Sequence, residues 1–313
     1  TDLVEPFSID ESWLDVTGSA LLFGDGKTIA DTLRRRVREE LGLTISVGVS
    51  FNKIFAKMGS DYKKPDATTV ITRENFRKIV WELPVTDLLF VGKSVNEQLK
   101  KLSIATIGEL AACDRSRLVR NLGKMGETLH AYANGLDDSP VRSIHDEREI
   151  KSVGNGMTFK RNLVGLDDIR LGVLSLTDLV ATRMRRRGVK CLTVQVMIRD
   201  PNFQTITRQK TLEIPTCLAK ELAAVSLELI RQEWNLRKPI RMITITGTNL
   251  VDAQNTGEQL TLFSGVQQIK KREKQEKLET AVDAVREKFG HGSIRAAGIL
   301  NNDLGIGSGG HKD

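Results

Sequence analysis

The sequence predicts a multidomain α+β chain: a mixed α/β segment, a small all-helical segment, a ferredoxin-like β-α-β-β-α-β domain and a flexible C-terminal tail. Three observations predict it. The 313 residues exceed what one ordinary hydrophobic core serves. Between Pro84 and Leu136 the apolar pattern is helical but repeatedly broken by glycine. From 148 to 248, strand-like alternation and helix-like periodicity follow one another in the order β-α-β-β-α-β, in which both helices cover one face of a sheet.

The α/β segment opens with residues 7–14, read as a strand that carries Ser8-Ile9-Asp10-Glu11 at its head. Adjacent carboxylates are costly to hold together unless a cation lies between them. Magnesium takes one or two carboxylates and leaves its other positions to water and substrate phosphate, so the pair is a candidate for two-metal phosphoryl transfer. Adjacent acids are also common on solvated turns, and the pair alone does not decide. Thr28 opens a helix with Asp31 as its acidic first-turn partner; Ile29, Leu33, Val37 and Leu41 form one face and Gly42 stops it. Thr44 to Ser50 reads as a second strand, Asn52 to Met58 as a short helix and Thr68 to Thr72 as a third strand.

In the helical segment, Val91-Gly92-Lys93 and Leu122-Gly123-Lys124-Met125-Gly126 each place glycine and lysine where one helix hands over to the next. Such hairpins bring backbone N–H groups to a phosphate, with lysine as a point charge. A glycine C-cap beside an exposed lysine would look the same.

The third segment opens with a strand over 150–159. A helix follows with Ile169, Val173, Leu176, Val180 and Met184 on one face, and then a strand in which Leu192, Val194, Val196 and Ile198 alternate with Thr193, Gln195 and Arg199. Asp200-Pro201-Asn202 turns into a polar strand over 204–213. Pro215-Thr216 caps a second helix with Leu218, Leu222, Val225 and Leu229 inward, and Arg241 to Thr246 closes the sheet. The uncovered sheet face, rich in Thr, Gln and Arg, suits phosphate. The run Arg183 to Arg187 divides between dipole capping and DNA surface. Charge agrees: residues 147–247 carry 18 basic and 10 acidic side chains, against 20 and 21 in residues 1–146. A local basic excess of that size suits a polyanion.

In the tail, Gln259-Leu260-Thr261-Leu262-Phe263 sets three large apolar residues in a polar stretch, a pattern suited to a partner's groove. Residues 266–289 read as an amphipathic helix with Ile269, Leu278, Val282, Val285 and Phe289 as apolar positions, and a disordered terminus is expected from Ser308. Cys113, Cys191 and Cys217 lack paired spacing, which points to reduced thiols in a cytoplasmic protein. The four histidines show no metal-site spacing, and no apolar run reaches a membrane span.

Together these motifs resemble the Y-family of translesion DNA polymerases, in its bacterial DinB/UmuC-like group, from Thr1 to about Phe263. Ser8-Ile9-Asp10-Glu11 is similar to the family's catalytic palm signature. Ser46-Val47-Gly48-Val49-Ser50, Asn52-Lys53, Ala56-Lys57 and Lys63-Lys64-Pro65 resemble the palm segment that completes the nucleotide site. The two glycine-lysine segments, with Tyr132-Ala133-Asn134-Gly135-Leu136-Asp137, resemble the helix-hairpin-helix thumb. Lys151-Ser152-Val153-Gly154-Asn155 resembles the opening of the little-finger domain, and Gln259 to Phe263 the pentapeptide that grips the sliding clamp.

The resemblance implies a partial palm over 1–82, a thumb over 83–146, a little finger over 147–248 and a tail over 249–313. It implies two Mg²⁺ ions, with Asp10 bridging both and Glu11 on the one that activates the primer hydroxyl. Lys64 would hold the triphosphate of the incoming dNTP. Primer-template DNA would meet Gly92, Lys93, Gly123, Lys124, Gly126, Lys160, Arg161, Arg199 and Arg208, and the clamp would meet Gln259, Leu260, Leu262 and Phe263. A monomer acting at the replication fork is expected. The family also has an aspartate on a first palm strand and a fingers domain, to which nothing in this chain corresponds, so the expectation is a carboxy-terminal part inactive alone. The stretch after Phe263 fits UmuC-like relatives. The alternative is a non-catalytic protein that binds damaged DNA and tethers the clamp.

Overall fold

The computed structural model describes residues 1–146, 149–254, 266–295, 297–300 and 302–307, with the backbone alone for 266–269. The chain divides into two compact units, Thr1–Arg148 and Glu149–Asp313.

The first unit opens on a hairpin of β1 (Val4–Pro6) and β2 (Ser12–Leu14), with Glu5 opposite Trp13. The single strand expected over 7–14 is therefore two short strands and a turn. Phe7 and Ser8 both donate backbone hydrogen bonds to the Glu11 carbonyl, which closes the turn over Ile9 and Asp10. Trp13 fixes the hairpin to its neighbour: its indole N–H donates to the Lys53 carbonyl at 2.9 Å, and its ring lies 4.6 Å from that of Phe7. Glu5, nearly buried, accepts from Lys53 Nζ at 2.6 Å and from the Arg142 amide at 3.0 Å.

After a single turn, α1 (Ala20–Phe23), comes α2 (Gly26–Leu41). Its cap is Asp25, which accepts from the Thr28 amide, and Gly42 ends it at φ +68°. Asp31 is not a capping partner. Its carboxylate accepts from Lys27 at 2.6 Å and from the Thr68 hydroxyl at 2.6 Å, tying the helix to the sheet. Strands β3 (Val47–Ser50) and β4 (Thr68–Ile71) are parallel, joined through α3 (Lys53–Tyr62), which Asn52 caps. Gly48 is required here: a Cβ would run into the α3 backbone at Ala56 and Ser60.

Helices α4 (Phe76–Val80), α5 (Lys93–Lys101), α6 (Ile107–Ala112), α7 (Arg115–Leu122) and α8 (Lys124–Ala133) complete this unit. One core runs from Phe55 and Phe76 to Leu118 and Leu129, through both the α/β and the helical segments. Thr106 and Glu109 form a capping box on α6, and Asp114 caps α7.

The second unit holds β5 (Ser152–Leu163), α9 (Gly165–Arg186), β6 (Val189–Arg199), β7 (Thr205–Thr216), α10 (Ala219–Glu233) and β8 (Ile240–Asp252). The element order is the expected one. The antiparallel sheet, however, runs β5-β8-β6-β7, with the second and fourth strands central; a ferredoxin-like sheet centres its first and third. The composition explains the choice. Strands β6 and β8 supply the apolar alternation Val194, Val196, Ile198 and Ile240, Ile243, Ile245, whereas β7 is polar and β5 carries glycines and cations that suit an edge. Ile169, Val173, Leu176, Val180 and Met184 of α9 are all fully buried against this sheet.

The tail is not free where it is described. Helix α11 (Val266–Phe289) docks on α9 and α10, and Leu304 and Ile306 join the core. Arg185, in the run assigned to capping and DNA, is buried between Glu279 at 2.5 Å and Asp283 at 2.7 Å. Glu279 also accepts from the Ala219 amide at 3.1 Å, satisfying the start of α10 from 60 residues away. The Thr216 hydroxyl accepts only from Leu218, one step before the helix. Residues 259–263 and 308–313 lie outside the described residues.

Candidate metal centre and nucleic-acid interface

The hairpin turn carries Asp10 and Glu11 out of the strand pair and toward α3. The Ser8 hydroxyl donates to Asp10 Oδ1 at 2.7 Å and lies 3.4 Å from Glu11 Oε2, so the two carboxylates share one small donor. Lys57, on the second turn of α3, reaches Glu11 Oε1 at 2.7 Å and Asp61 Oδ2 at 2.7 Å. Asp61 in turn holds Lys64 at 2.6 Å. The sequence-named residues Asp10, Glu11 and Lys64 thus sit on one continuous line of contacts, Asp10–Ser8–Glu11–Lys57–Asp61–Lys64.

Burial alone would ease the proton off Lys57, but hydrogen bonds to Asp61 and Glu11 outweigh it and hold its ammonium above the ordinary lysine range. Burial likewise favours a neutral Asp61, and the two lysines overcome that and keep it ionised. Lys53, a weaker candidate, is taken up by Glu5 and lies over the Trp13 ring at 4.6 Å. Asp61 and Ser8 are the members of this line that sequence reading missed. The signal for Asp61 was its i, i+4 spacing from Lys57 and i, i+3 spacing to Lys64.

The carboxylate oxygens of Asp10 and Glu11 are hard donors suited to magnesium. No group of three or more His, Cys, Asp or Glu able to hold a metal occurs among the described residues. Two adjacent carboxylates suit an ion that keeps several positions for water or phosphate, which is the habit of magnesium.

Gly92 caps α5 with its backbone extended and Lys93 begins that helix; the preceding segment is a loop, so this motif does not join two helices. Gly123 does join α7 to α8, at φ +62°, with Lys124 as the first helical residue. A Cβ on Gly126 would strike the Leu118 carbonyl, so the two helices cross at van der Waals contact through this glycine.

On the sheet of the second unit, the face away from the helices carries aligned rows. Thr248, Thr246 and Thr244 of β8 lie opposite Thr193, Gln195 and Met197 of β6, which lie opposite Thr211, Gln209 and Thr207 of β7; Arg199 pairs with Thr205. On β5, Gly154 and Gly156 face Thr246 and Thr244, where a Cβ would meet each threonine hydroxyl. The result is a polar face on which Thr205, Thr207, Gln209 and Thr211 are exposed, while Thr193 and the Thr244 hydroxyl are buried. Arg199 belongs to it, its Nε 3.1 Å from the Thr205 hydroxyl.

Arg208 does not. It shares the core side with Val196 and reaches off the sheet edge to Glu233 of α10 at 2.7 Å. By two-residue alternation, the row facing out on β7 is Thr205, Thr207, Gln209 and Thr211. Arg161 is held by Asp168 at 2.5 Å and Asp303 at 2.6 Å, hydrogen bonds that raise its already high pKa. The Lys160 amide donates to the Leu304 carbonyl at 2.9 Å and its side chain is exposed.

Comparison with known proteins agrees with this geometry. Residues 1–61 match the impB/mucB/samB family, residues 150–262 its C-terminal domain, and residues 86–137 the thumb domain of DNA polymerase-iota. DNA polymerase IV of Acetivibrio thermocellus is 47% identical over 306 residues, 98% of this chain and 75% of that protein. DNA polymerase IV of Clostridium kluyveri is 35% identical over 96% of this chain and 75% of its own length. DNA polymerase IV 1 of Bacillus subtilis is 37% identical over 97% of this chain and 72% of its own length. Alignments of that extent include most of the tail, so the tail does not set this chain with UmuC-like proteins. A solved Y-family DNA polymerase chimera superimposes with a TM-score of 0.68 at 22% identity, covering 80% of this chain and 71% of the chimera. With its turn-borne carboxylate pair, its thumb and its C-terminal sheet domain in the family's order, the chain belongs to the Y-family of DNA-directed DNA polymerases, among those of the DNA polymerase IV type.

Proposed function

We propose that this chain supplies the catalytic carboxylates, the phosphate-binding lysines and the DNA-holding surfaces of a translesion polymerase. The observation that carries the reading is the line of contacts from Asp10 through Glu11 and Lys57 to Lys64. Enzymes of this family are metal-dependent. Asp10 and Glu11 would hold magnesium, two ions in the full reaction, and such ions supply charge stabilisation for the attacking and leaving oxygens of an in-line displacement at phosphorus.

The chain's own residues then have separable roles. Ser8 keeps the Asp10 carboxylate oriented toward its neighbour. Lys57 holds Glu11 in place and offsets negative charge beside it. Lys64, paired with Asp61 and more than half exposed, would bind the triphosphate. The backbone N–H groups of α5 and α8, with Lys93 and Lys124, would take duplex phosphates, and the hydroxyl face of the C-terminal sheet would follow the backbone further along. Contacts of that kind carry little base information and tolerate a distorted template. Arg161 and Arg208 are engaged by carboxylates, Asp168 with Asp303 and Glu233, which would have to be exchanged for phosphate on DNA binding.

Clamp binding by Gln259, Leu260, Leu262 and Phe263 rests on motif resemblance, as does action as a monomer at the nucleoid. Among the described residues no helix is long and apolar enough to cross a membrane. The test is template-directed nucleotide insertion with magnesium by the natural protein, comparing wild type with Asp10→Ala and Glu11→Ala. The reading expects insertion to be lost in both variants while primer-template affinity stays within about twofold, since those contacts are to phosphates elsewhere. Equal insertion by the variants would overturn it. For the clamp, Leu262→Ala with Phe263→Ala is expected to abolish binding without changing duplex affinity.

A further inference from the structure

Helix α11 is docked with its charged side inward. Arg272 pairs with Glu221 at 2.8 Å, Glu276 with Lys190 at 2.9 Å, Glu279 and Asp283 with Arg185, and Arg286 with Asp178 at 2.9 Å. These positions recur at helical spacing and form one stripe. The apolar residues lie beside it and not beneath it. Leu278 is 56% exposed, Val285 36% and Phe289 66%, with Val282 half-buried at the edge. Amphipathic helices ordinarily do the reverse.

The spacing of the exposed residues is informative. Leu278, Val282, Val285 and Phe289 follow one another at four, three and four residues, which is the seam of a heptad repeat. A seam of this width suits a second helix better than a broad lipid surface, which calls for a wider apolar face. The flanks differ in availability. On one side the flanking positions are Glu279 and Arg286, both committed to the domain below. On the other side they are Lys274, Ala281 and Lys288, all exposed. Lys271 extends the seam's line toward the helix start, also exposed, and the exposed acids Glu273 and Glu287 project away from the seam. The free border is therefore cationic.

We propose that the α11 seam is a docking surface for an amphipathic helix of a partner protein, one whose apolar stripe is flanked by Asp and Glu. Leucine-type residues of that helix would pack on Leu278, Val285 and Phe289, and its acids would pair with Lys274 and Lys288. The ion pairs that fasten α11 hold the seam rigid and outward. The seam belongs to the second unit and the carboxylate pair to the first.

The test is fluorescence anisotropy of the whole chain with a synthetic amphipathic peptide of about 20 residues, long enough for several heptads. One form has glutamates flanking a leucine seam and its isomer has lysines. The glutamate form is expected to bind at least about tenfold more tightly, with an advantage that shrinks as salt rises. Leu278→Ser with Phe289→Ser should abolish binding, with melting temperature and primer-template affinity unchanged because both side chains are exposed. Lys274→Glu with Lys288→Glu should reverse the preference toward the lysine peptide. No preference, or a preference indifferent to the charge reversal, overturns the proposal. So does concentration-dependent self-association lost in the serine variant, which would make a second copy the occupant. Binding to phosphatidylcholine–phosphatidylglycerol vesicles in preference to the peptide would overturn it in favour of a membrane.

Discussion

Lys57 Nζ lies 2.7 Å from Glu11 Oε1 and 2.7 Å from Asp61 Oδ2, so one ammonium on α3 joins the hairpin turn to the segment bearing Lys64. Its side chain is only 15% exposed. Lys57→Met keeps the stem and removes the charge, leaving Glu11 and Asp61 without their shared partner. Nucleotide insertion is expected to fall by about tenfold or more, of the order that misplacing a catalytic group produces, while duplex affinity holds. Single-turnover insertion beside a binding titration checks both.

Glu5 supports the same hairpin from the other side. Burial favours its neutral form, but hydrogen bonds from Lys53 and the Arg142 amide, with the Lys53 charge, win and lower its pKa. A carboxylate with a lowered folded pKa contributes stability that is complete above its unfolded pKa and is lost as pH falls through the folded one. Glu5→Gln should therefore destabilise the first unit at neutral pH by about 3 kcal/mol, the cost of stranding a buried partner charge. The difference from wild type should shrink as pH falls below the ordinary carboxylate range. Denaturant melts at neutral pH and near pH 3 distinguish this from a pH-independent packing defect.

Gly126 sets the approach of α7 and α8. Gly126→Val should force the helices apart at Leu118 and cost about 1–3 kcal/mol, as overpacking does. Because Lys124 rides on the same junction, duplex affinity should weaken with stability. Gly92→Ala, where nothing stands within 4 Å of the added Cβ, should leave stability nearly unchanged.

Phosphate contact predicts steep salt dependence. Replacing Lys93 and Lys124 by alanine should lower the slope of log affinity against log salt by about two, near one per lost contact. Arg208→Ala should leave the slope unchanged, since that guanidinium faces Glu233.

Alternation and heptad-like spacing made much of the architecture legible. The buried faces of α9 and β6 are those the pattern names, because a continuous core leaves little freedom for a one-residue shift. The first hairpin was not legible: its turn over 7–11 lacks the Gly or Asn pair that marks short turns, and closure depends on the Glu11 carbonyl accepting two amides. Periodicity reported where α11 is apolar, not which of its faces meets the domain. Arg185, buried in α9, selected the acidic side of α11 over the apolar one. The sequence named Asp10, Glu11 and Lys64 one by one; the contacts that join them run through Ser8, Lys57 and Asp61 and depend on local geometry. The sequence named Arg208 without assigning a face to its strand; its pairing with Val196 puts it on the core-side phase of β7.

The most direct test of the central claim is magnesium-dependent extension of a primed template by the natural protein, beside its Asp10→Ala and Glu11→Ala variants, with primer-template affinity measured on the same samples. The account predicts extension by wild type alone and nearly equal affinity in all three. Extension that survives loss of either carboxylate would contradict it, as would a wild type that binds primed DNA normally and extends nothing.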